Sequence, residues 1–296
     1  MQRVNSWRIS FFYRKYYYRQ IMRWMRSRKE RLETLFRAKQ TTIKNKYHKP
    51  PTRRKQACLV GINYTGTQYA LNGCVNDVYK FRHLLIHKYN YDPKDVRLII
   101  NQHATRTTLL REFTRLVENA ISGDTICFSF SGHGVNAKDH NQDEKDGMDE
   151  FIVTADFYGI MDDEFKSILK KHLKEGVKMF ALFDNCHSGT ILDLRYQYKN
   201  QNTELTVHDK YSDTPGQVIC LSGCRDDQVS MDAYLNNQYN GALTWALVDV
   251  LYKNESMSWT LCVSKLRELL QSKQFKQLPQ LTSGKQMEAQ NELVQL

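Results

Sequence analysis

Two short segments carry residue types that could do chemistry together. Ser131-Gly132-His133-Gly134 follows the apolar run 124–130, and Asp184-Asn185-Cys186-His187-Ser188-Gly189 follows the run 177–183. Glycine on both sides of His133 leaves room for a peptide backbone to pass, and imidazole exchanges protons near neutral pH. Cys186 stands at the end of a strand-like run rather than inside it, unlike an inert core thiol. A thiol beside an imidazole can become a thiolate nucleophile with its own proton carrier, the equipment for attacking a carbonyl. The alternative for the first segment is a plain glycine-rich turn with a surface histidine. His187 reads as support for the turn around Cys186 and not as the base.

For the two segments to meet, the runs before them must lie side by side. Apolar runs at 57–62, 96–100, 125–130, 177–183 and 218–222 alternate with helical patterns at 74–87, 107–120, 162–171, 242–252 and 258–271. This alternation predicts an α/β fold, a mostly parallel sheet of about six strands with helices on both faces. In such sheets ligands and chemistry gather at the carboxyl ends of the strands, where both segments fall.

Charge divides the chain. Residues 1–55 hold 18 Lys and Arg against Glu30 and Glu33, a net +16, whereas the whole chain is +11 and the remainder therefore −5. This argues for an acidic body with a basic, aromatic-rich N-terminal arm rather than a basic enzyme acting on a polyanion. Pro50-Pro51 marks the boundary. The arm reads as a solvated or docking helix, as an attachment to an anionic membrane surface, or as a mitochondrial presequence. No nucleic-acid fold motif supports nucleic-acid binding. The seven cysteines are odd in number and include no C-x-x-C pair, which suits a reducing, cytoplasmic setting. Cys58, Cys127, Cys220 and Cys262 read as core thiols, and Trp245 and Trp259 as packing for the C-terminal helices. No run is long and apolar enough to span a bilayer, and no signal peptide is evident. A monomer is expected.

Taken together, Gly61-Ile62-Asn63-Tyr64, Gly73-Cys74-Val75-Asn76-Asp77, Ser131-Gly132-His133-Gly134, Asp146-Gly147-Met148-Asp149-Glu150, Asp162-Asp163-Glu164 and Asp184-Asn185-Cys186-His187-Ser188-Gly189-Thr190 resemble the metacaspases. Ser222-Gly223-Cys224-Arg225-Asp226-Asp227-Gln228, Gly241-Ala242-Leu243-Thr244 and residues 279–284 resemble the family's small-subunit region. The likeness covers residues 55–296 in order and spacing. The separation of 53 positions from His133 to Cys186 also matches the roughly 50-residue interval of caspases. The resemblance implies a caspase–haemoglobinase-type fold with a large-subunit-like part (56–194), an exposed linker (195–216) and a small-subunit-like part (217–296). It implies a cysteine endopeptidase in which Cys186 attacks through a thioester and His133 protonates the leaving amine. The N–H groups of Gly134 and Cys186 would form the oxyanion hole, and Asp77, Ser131 and Asp184 would line a pocket selecting protein substrates with Arg or Lys before the cut. Asn185 departs from the pattern, which commonly has a second cysteine there.

Acidic side chains crowd the stretch after His133. Hard oxygen ligands at this density suit Ca²⁺ better than zinc, though a solvated acidic loop has the same composition. Asp139, Asn141, Asp143 and Glu150 fall at EF-hand positions one, three, five and twelve, but Glu144 replaces the turn glycine and no helix precedes them, which opposes an EF-hand. The resemblance instead implies calcium ligands at Asp149, Asp162, Asp163 and Asp193. Arg195, Lys199 and Lys210 in the linker are candidate points of self-cleavage. The rival reading is a catalytically silent caspase-like scaffold acting through its arm; retention of both His133 and Cys186 opposes it. A caspase cutting after Asp would need a basic pocket, which Asp77 and Asp184 oppose.

Overall fold

The computed structural model describes residues 53–138, 148–185, 191–199, 205–208, 211, 213–223, 232–235, 238–275 and 277–296. The chain divides into two units, residues 1–52 and residues 53–296, and all described residues belong to the second. The first nine strands in chain order are β1 (Lys55–Gly61), β2 (Val96–Ile100), β3 (Thr125–Ser131), β4 (Gly134–Lys138), β5 (Met148–Val153), β6 (Gly159–Met161), β7 (Lys178–Asp184), β8 (Tyr196–Tyr198) and β9 (Leu205–Val207). They are followed by β10 (Gln217–Ser222), β11 (Asp232–Leu235), β12 (Gln238–Gly241) and β13 (Gln280–Ser283). The helices are α1 (Cys74–His87), α2 (Arg106–Glu118), α3 (Asp162–His172), α4 (Ala242–Lys253) and α5 (Trp259–Ser272).

The central sheet runs β2-β1-β3-β7-β10-β13-β8-β9. Its first five strands are parallel, and β13, β8 and β9 continue it antiparallel. Alternation along each strand divides the core in two. Ala57, Leu59, Phe180, Leu182 and Leu221 face one side with α1, α4 and α5, where Trp259 stacks on Phe180; Cys58, Val60, Phe128, Ala181 and Phe183 face the other with Phe113 of α2 and Phe165 of α3. Side chains on successive strand positions point to opposite faces, so nearly continuous apolar runs are what a sheet covered on both sides requires. Thr105 caps α2 by accepting from the Thr108 N–H, and Ser258 caps α5 by accepting from the Leu261 N–H. Among the described residues, no helix is long and apolar enough to cross a membrane.

The expected helices and parallel strands are present, but the sheet has eight strands rather than about six. Strands β8 and β9 lie inside the stretch expected to be an exposed linker, and Tyr196, Tyr211 and Thr214 there are buried. Three-residue strands with polar alternate positions carry too little pattern to stand out from a loop. The four-residue strands of the β11–β12 hairpin are hardly longer, and β4 and β5 of the three-stranded sheet β4-β5-β6 flank an acid-rich stretch that masked them.

Candidate active site

The register of the central sheet brings the site together. On β3, Ser131 pairs with Gly61 of β1 on one side and Asp184 of β7 on the other, so three strands end level with one another. His133 leaves β3 two residues later. Its position is held from three directions: its N–H donates to the Tyr64 hydroxyl (3.1 Å), its carbonyl accepts from the Val153 N–H (2.9 Å), and its ring lies 4.7 Å from the Tyr64 ring. Tyr64 in turn donates its hydroxyl proton to the Val153 carbonyl at 2.6 Å. Gly132 is required here because a Cβ would stand 2.8 Å from the Phe130 ring and 2.9 Å from the Tyr64 hydroxyl.

His133 Nε2 lies 2.7 Å from the Tyr69 carbonyl oxygen. A carbonyl only accepts, so Nε2 carries a proton and Nδ1 is the nitrogen left to exchange one. Cys186 lies outside the described residues, as do 187–190 and 224–230. The described cysteines, 58, 74, 127, 220 and 262, are all buried. Burial pushes the thiols of Cys58 and Cys262 up to about 12 and those of Cys127 and Cys220 higher still, so these four are core thiols without thiolate character.

Asp77 and Asp184 converge beside the strand ends. Asp77, in the first turn of α1, accepts from the Ser131 hydroxyl at 2.6 Å and from the Gly241 N–H at 2.9 Å on both carboxylate oxygens. Asp184 accepts from the Thr244 N–H at 2.7 Å. A Cβ at Gly241 would collide with Asp184 Oδ2 and stand 2.7 Å from Asp77 Oδ2, so the two acids meet across a position only glycine can occupy. All three expected pocket residues are buried, Asp77, Ser131 and Asp184 alike. Gly134 begins β4 opposite Ile152.

A second group of acids forms at the start of α3. Asp162, Asp163 and Asp193 place one carboxylate oxygen each within 4.8 Å of one another. Acids in a first turn also complement the helix dipole, which is the structural reading of Asp162 and Asp163. That reading does not cover Asp193. It is buried in left-handed backbone (φ 47°), its Oδ2 accepts from Lys166 at 3.0 Å, and its buried Oδ1 finds no hydrogen-bond partner. Burial, reinforced by the Asp193 charge, raises Asp162 to about 8 although the Asp163 and Glu150 N–H groups donate to it. A buried orphan oxygen beside two further carboxylates within 4.8 Å fits a hard cation with oxygen ligands. The backbone of Asp149 lies in β5 opposite Ala137, and its side chain is outside the described ones, as are residues 139–147 with the EF-hand-like run.

Sequence reasoning missed the Tyr69 carbonyl, Thr244 and Lys166 as working parts, and Gly241 as a point of convergence. Lys166 had a signal: it sits three and four residues after Asp163 and Asp162, on one helix face.

A parallel sheet with His133 beyond its central strand and two buried acids beside it defines a caspase-like fold. Two solved structures share that fold: caspase-1 from Spodoptera frugiperda, at TM-score 0.51 and 10% identity over 80% of this chain and 91% of that one, and a protein from Geobacter sulfurreducens, at TM-score 0.61 and 23% identity over 79% and 95%. The family model "Metacaspase, peptidase C14 domain" matches residues 55–195. Metacaspase-1 from Meyerozyma guilliermondii is 32% identical over 288 residues, covering 78% of this chain and 70% of that protein. The chain belongs to the metacaspases, caspase-like cysteine peptidases.

Proposed function

We propose that the chain hydrolyses peptide bonds after Arg or Lys, with calcium required for full activity. The observation that carries this reading is the meeting of the Asp77 and Asp184 carboxylates at Gly241, level with the strand that delivers His133. Two buried acids side by side recognise a guanidinium or ammonium, whereas an apolar guest would leave them without a counter-charge. The Cys186 thiol gives its proton to His133 Nδ1, and the thiolate attacks the scissile carbonyl carbon. The C–N bond breaks as the imidazolium returns the proton to the leaving amine, and water then hydrolyses the thioester. The Tyr69 carbonyl keeps the ring in the tautomer this needs. The N–H groups of Gly134 and Cys186 are the proposed oxyanion donors.

Asp162, Asp163 and Asp193, with Asp149, are the residues that would hold calcium. The ion would supply counter-charge to the acids and order the loops that carry them. Self-cleavage in the linker favours Lys199 over Arg195. Lys199 is exposed, whereas half-buried Arg195 is engaged by Asp213 at 3.2 Å; Lys210 lies outside the described residues. The basic arm is proposed to dock on anionic membrane.

The test is a peptide panel with Arg, Lys, Leu or Asp before the cut, assayed with calcium and with chelator. Cleavage of the Arg and Lys peptides that depends on calcium is expected. Cleavage after Asp, or full activity in chelator, would refute the corresponding half of the reading.

A further inference from the structure

The aromatic groups around His133 are more than its support. Tyr69 is 54% exposed and Phe157 is 51% exposed, yet their rings lie 6.1 Å apart, and Phe157 is 5.9 Å from the Tyr64 ring that abuts His133. Large apolar side chains left in water beside a reactive group mark a recognition surface when they are held in place. Here they are held. Phe157 stands on the turn between β5 and β6 in left-handed backbone (φ 60°), a conformation that phenylalanine adopts only when its surroundings impose it.

Those surroundings are explicit. Fully buried Thr154 accepts from the Tyr158 N–H at its hydroxyl, while its own N–H donates to the Tyr158 carbonyl and its carbonyl accepts from the Phe157 N–H. The Ala155 N–H donates to the Ala104 carbonyl, and Asp156 accepts from the Arg106 N–H at the start of α2. The turn is thus tied to the core, so the exposed ring is pre-organised and little ordering entropy opposes its use.

We propose that Phe157 and Tyr69 form a subsite for an aromatic or large aliphatic side chain on the residue immediately after the cut. The inference rests on the reading of His133 as the group that protonates the leaving amine. A peptide leaves the scissile bond in two directions. The side chain before the cut turns toward the acids at Gly241, and the amine side must pass the imidazole, where these two rings stand. Neither ring is among the groups that meet the Asp77 and Asp184 carboxylates. An apolar side chain stacking on two fixed rings gains from both area and ring geometry, a gain of about three- to tenfold in kcat/KM over a small polar residue.

The experiment uses internally quenched peptides identical through an Arg at the cut, followed by Phe, Leu, Ser or Gly, assayed at saturating calcium with the full chain and with Phe157→Asn. Asn tolerates left-handed backbone, and circular dichroism checks the fold. The expected result is preference of wild type for Phe and Leu over Ser, reduced to within about twofold in Phe157→Asn, with each protein's rates taken relative to its own rate on the Gly peptide. Phe157→Gly, which relieves the backbone, should behave as Phe157→Asn does. Equal rates for Phe, Leu and Ser in wild type, or an undiminished preference in both variants, overturn the subsite and leave the cleavage chemistry standing. A failure of the cleavage chemistry itself looks different: it removes turnover of every peptide, the Gly peptide included, and takes the subsite with it.

Discussion

Asp77 with Asp184, and Asp162 with Asp193, are two groups of buried carboxylates, and they are built differently. Asp77 and Asp184 are met by donors: the Ser131 hydroxyl and the N–H groups of Gly241 and Thr244. Asp193 is left short, with one buried oxygen orphaned and Lys166 as the cation in contact, and Asp162, although two N–H groups donate to it, is pushed up to about 8 by burial and the Asp193 charge. Donors fixed by backbone make a negative pocket that exists before its guest arrives, the condition for selecting a basic side chain. Acids packed without enough donors make a site whose stable form needs something added. One region is built for recognition and the other for response.

The largest expected effect comes from breaking the recognition group. Asp77→Asn keeps an oxygen to accept from Ser131 and Gly241 but removes the charge. We expect kcat/KM for Arg peptides to fall by about 10²–10³, as loss of one partner from a buried charge pair does, with melting temperature changed little. Retained preference for Arg over Leu would show that this pocket does not read charge. Gly241→Ala should follow at about 10- to 100-fold, because its Cβ drives into both carboxylates, while calcium affinity measured by calorimetry stays unchanged. Altered calcium binding in that variant would mean the two regions are one.

The response group is sharpened by pH. The folded protein holds Asp162 protonated up to about pH 8, and the unfolded chain releases that proton near the ordinary aspartate value. Between those limits the folded state binds more protons, so in chelator stability falls as pH rises toward 8. Melting temperature in chelator should decline from pH 5 to 8, and Asp162→Asn should flatten the decline. With calcium added to wild type, the rise in melting temperature should grow over the same range. A decline equally steep in Asp162→Asn would assign it to other groups.

Legibility in the sequence followed the same division. The sheet was readable because runs such as Phe180–Phe183 are apolar on both faces, and only a covered strand has that pattern. The recognition group was readable through resemblance, since Asp77 and Asp184 sit in motifs of fixed order. What the motifs could not show is why Gly241 must be glycine: the two acids that meet there are 107 residues apart in the chain. Residue identity was likewise silent on Tyr69, whose contribution to His133 is a backbone carbonyl that any side chain could supply. The short strands β8 and β9 were hidden because three residues are shorter than the period needed to recognise them.

The smallest effect is the most discriminating about the response group, and it lies in Lys166. Its ammonium contacts Asp193 Oδ2 at 3.0 Å and sits 3.9 Å from the centroid of the buried Tyr211 ring, so it is a cation fixed against the acids by an aromatic face. A divalent ion at Asp162, Asp163 and Asp193 must share Asp193 with that ammonium or displace it, and either way the fixed charge opposes binding. Lys166→Met keeps the aliphatic stem over Tyr211 and removes the charge, so calcium should bind about three- to tenfold more tightly by calorimetry, with preference for Arg over Leu peptides unchanged. Lys166→Arg keeps the charge and should bind calcium as wild type does. Without calcium, Lys166→Met should melt lower than wild type, because Asp193 loses the cation it touches. Weaker calcium binding in Lys166→Met would reverse the assignment and make Lys166 a support for the ligand geometry instead of a competitor. A shift in peptide preference would instead mean that the recognition and response groups are coupled through α3.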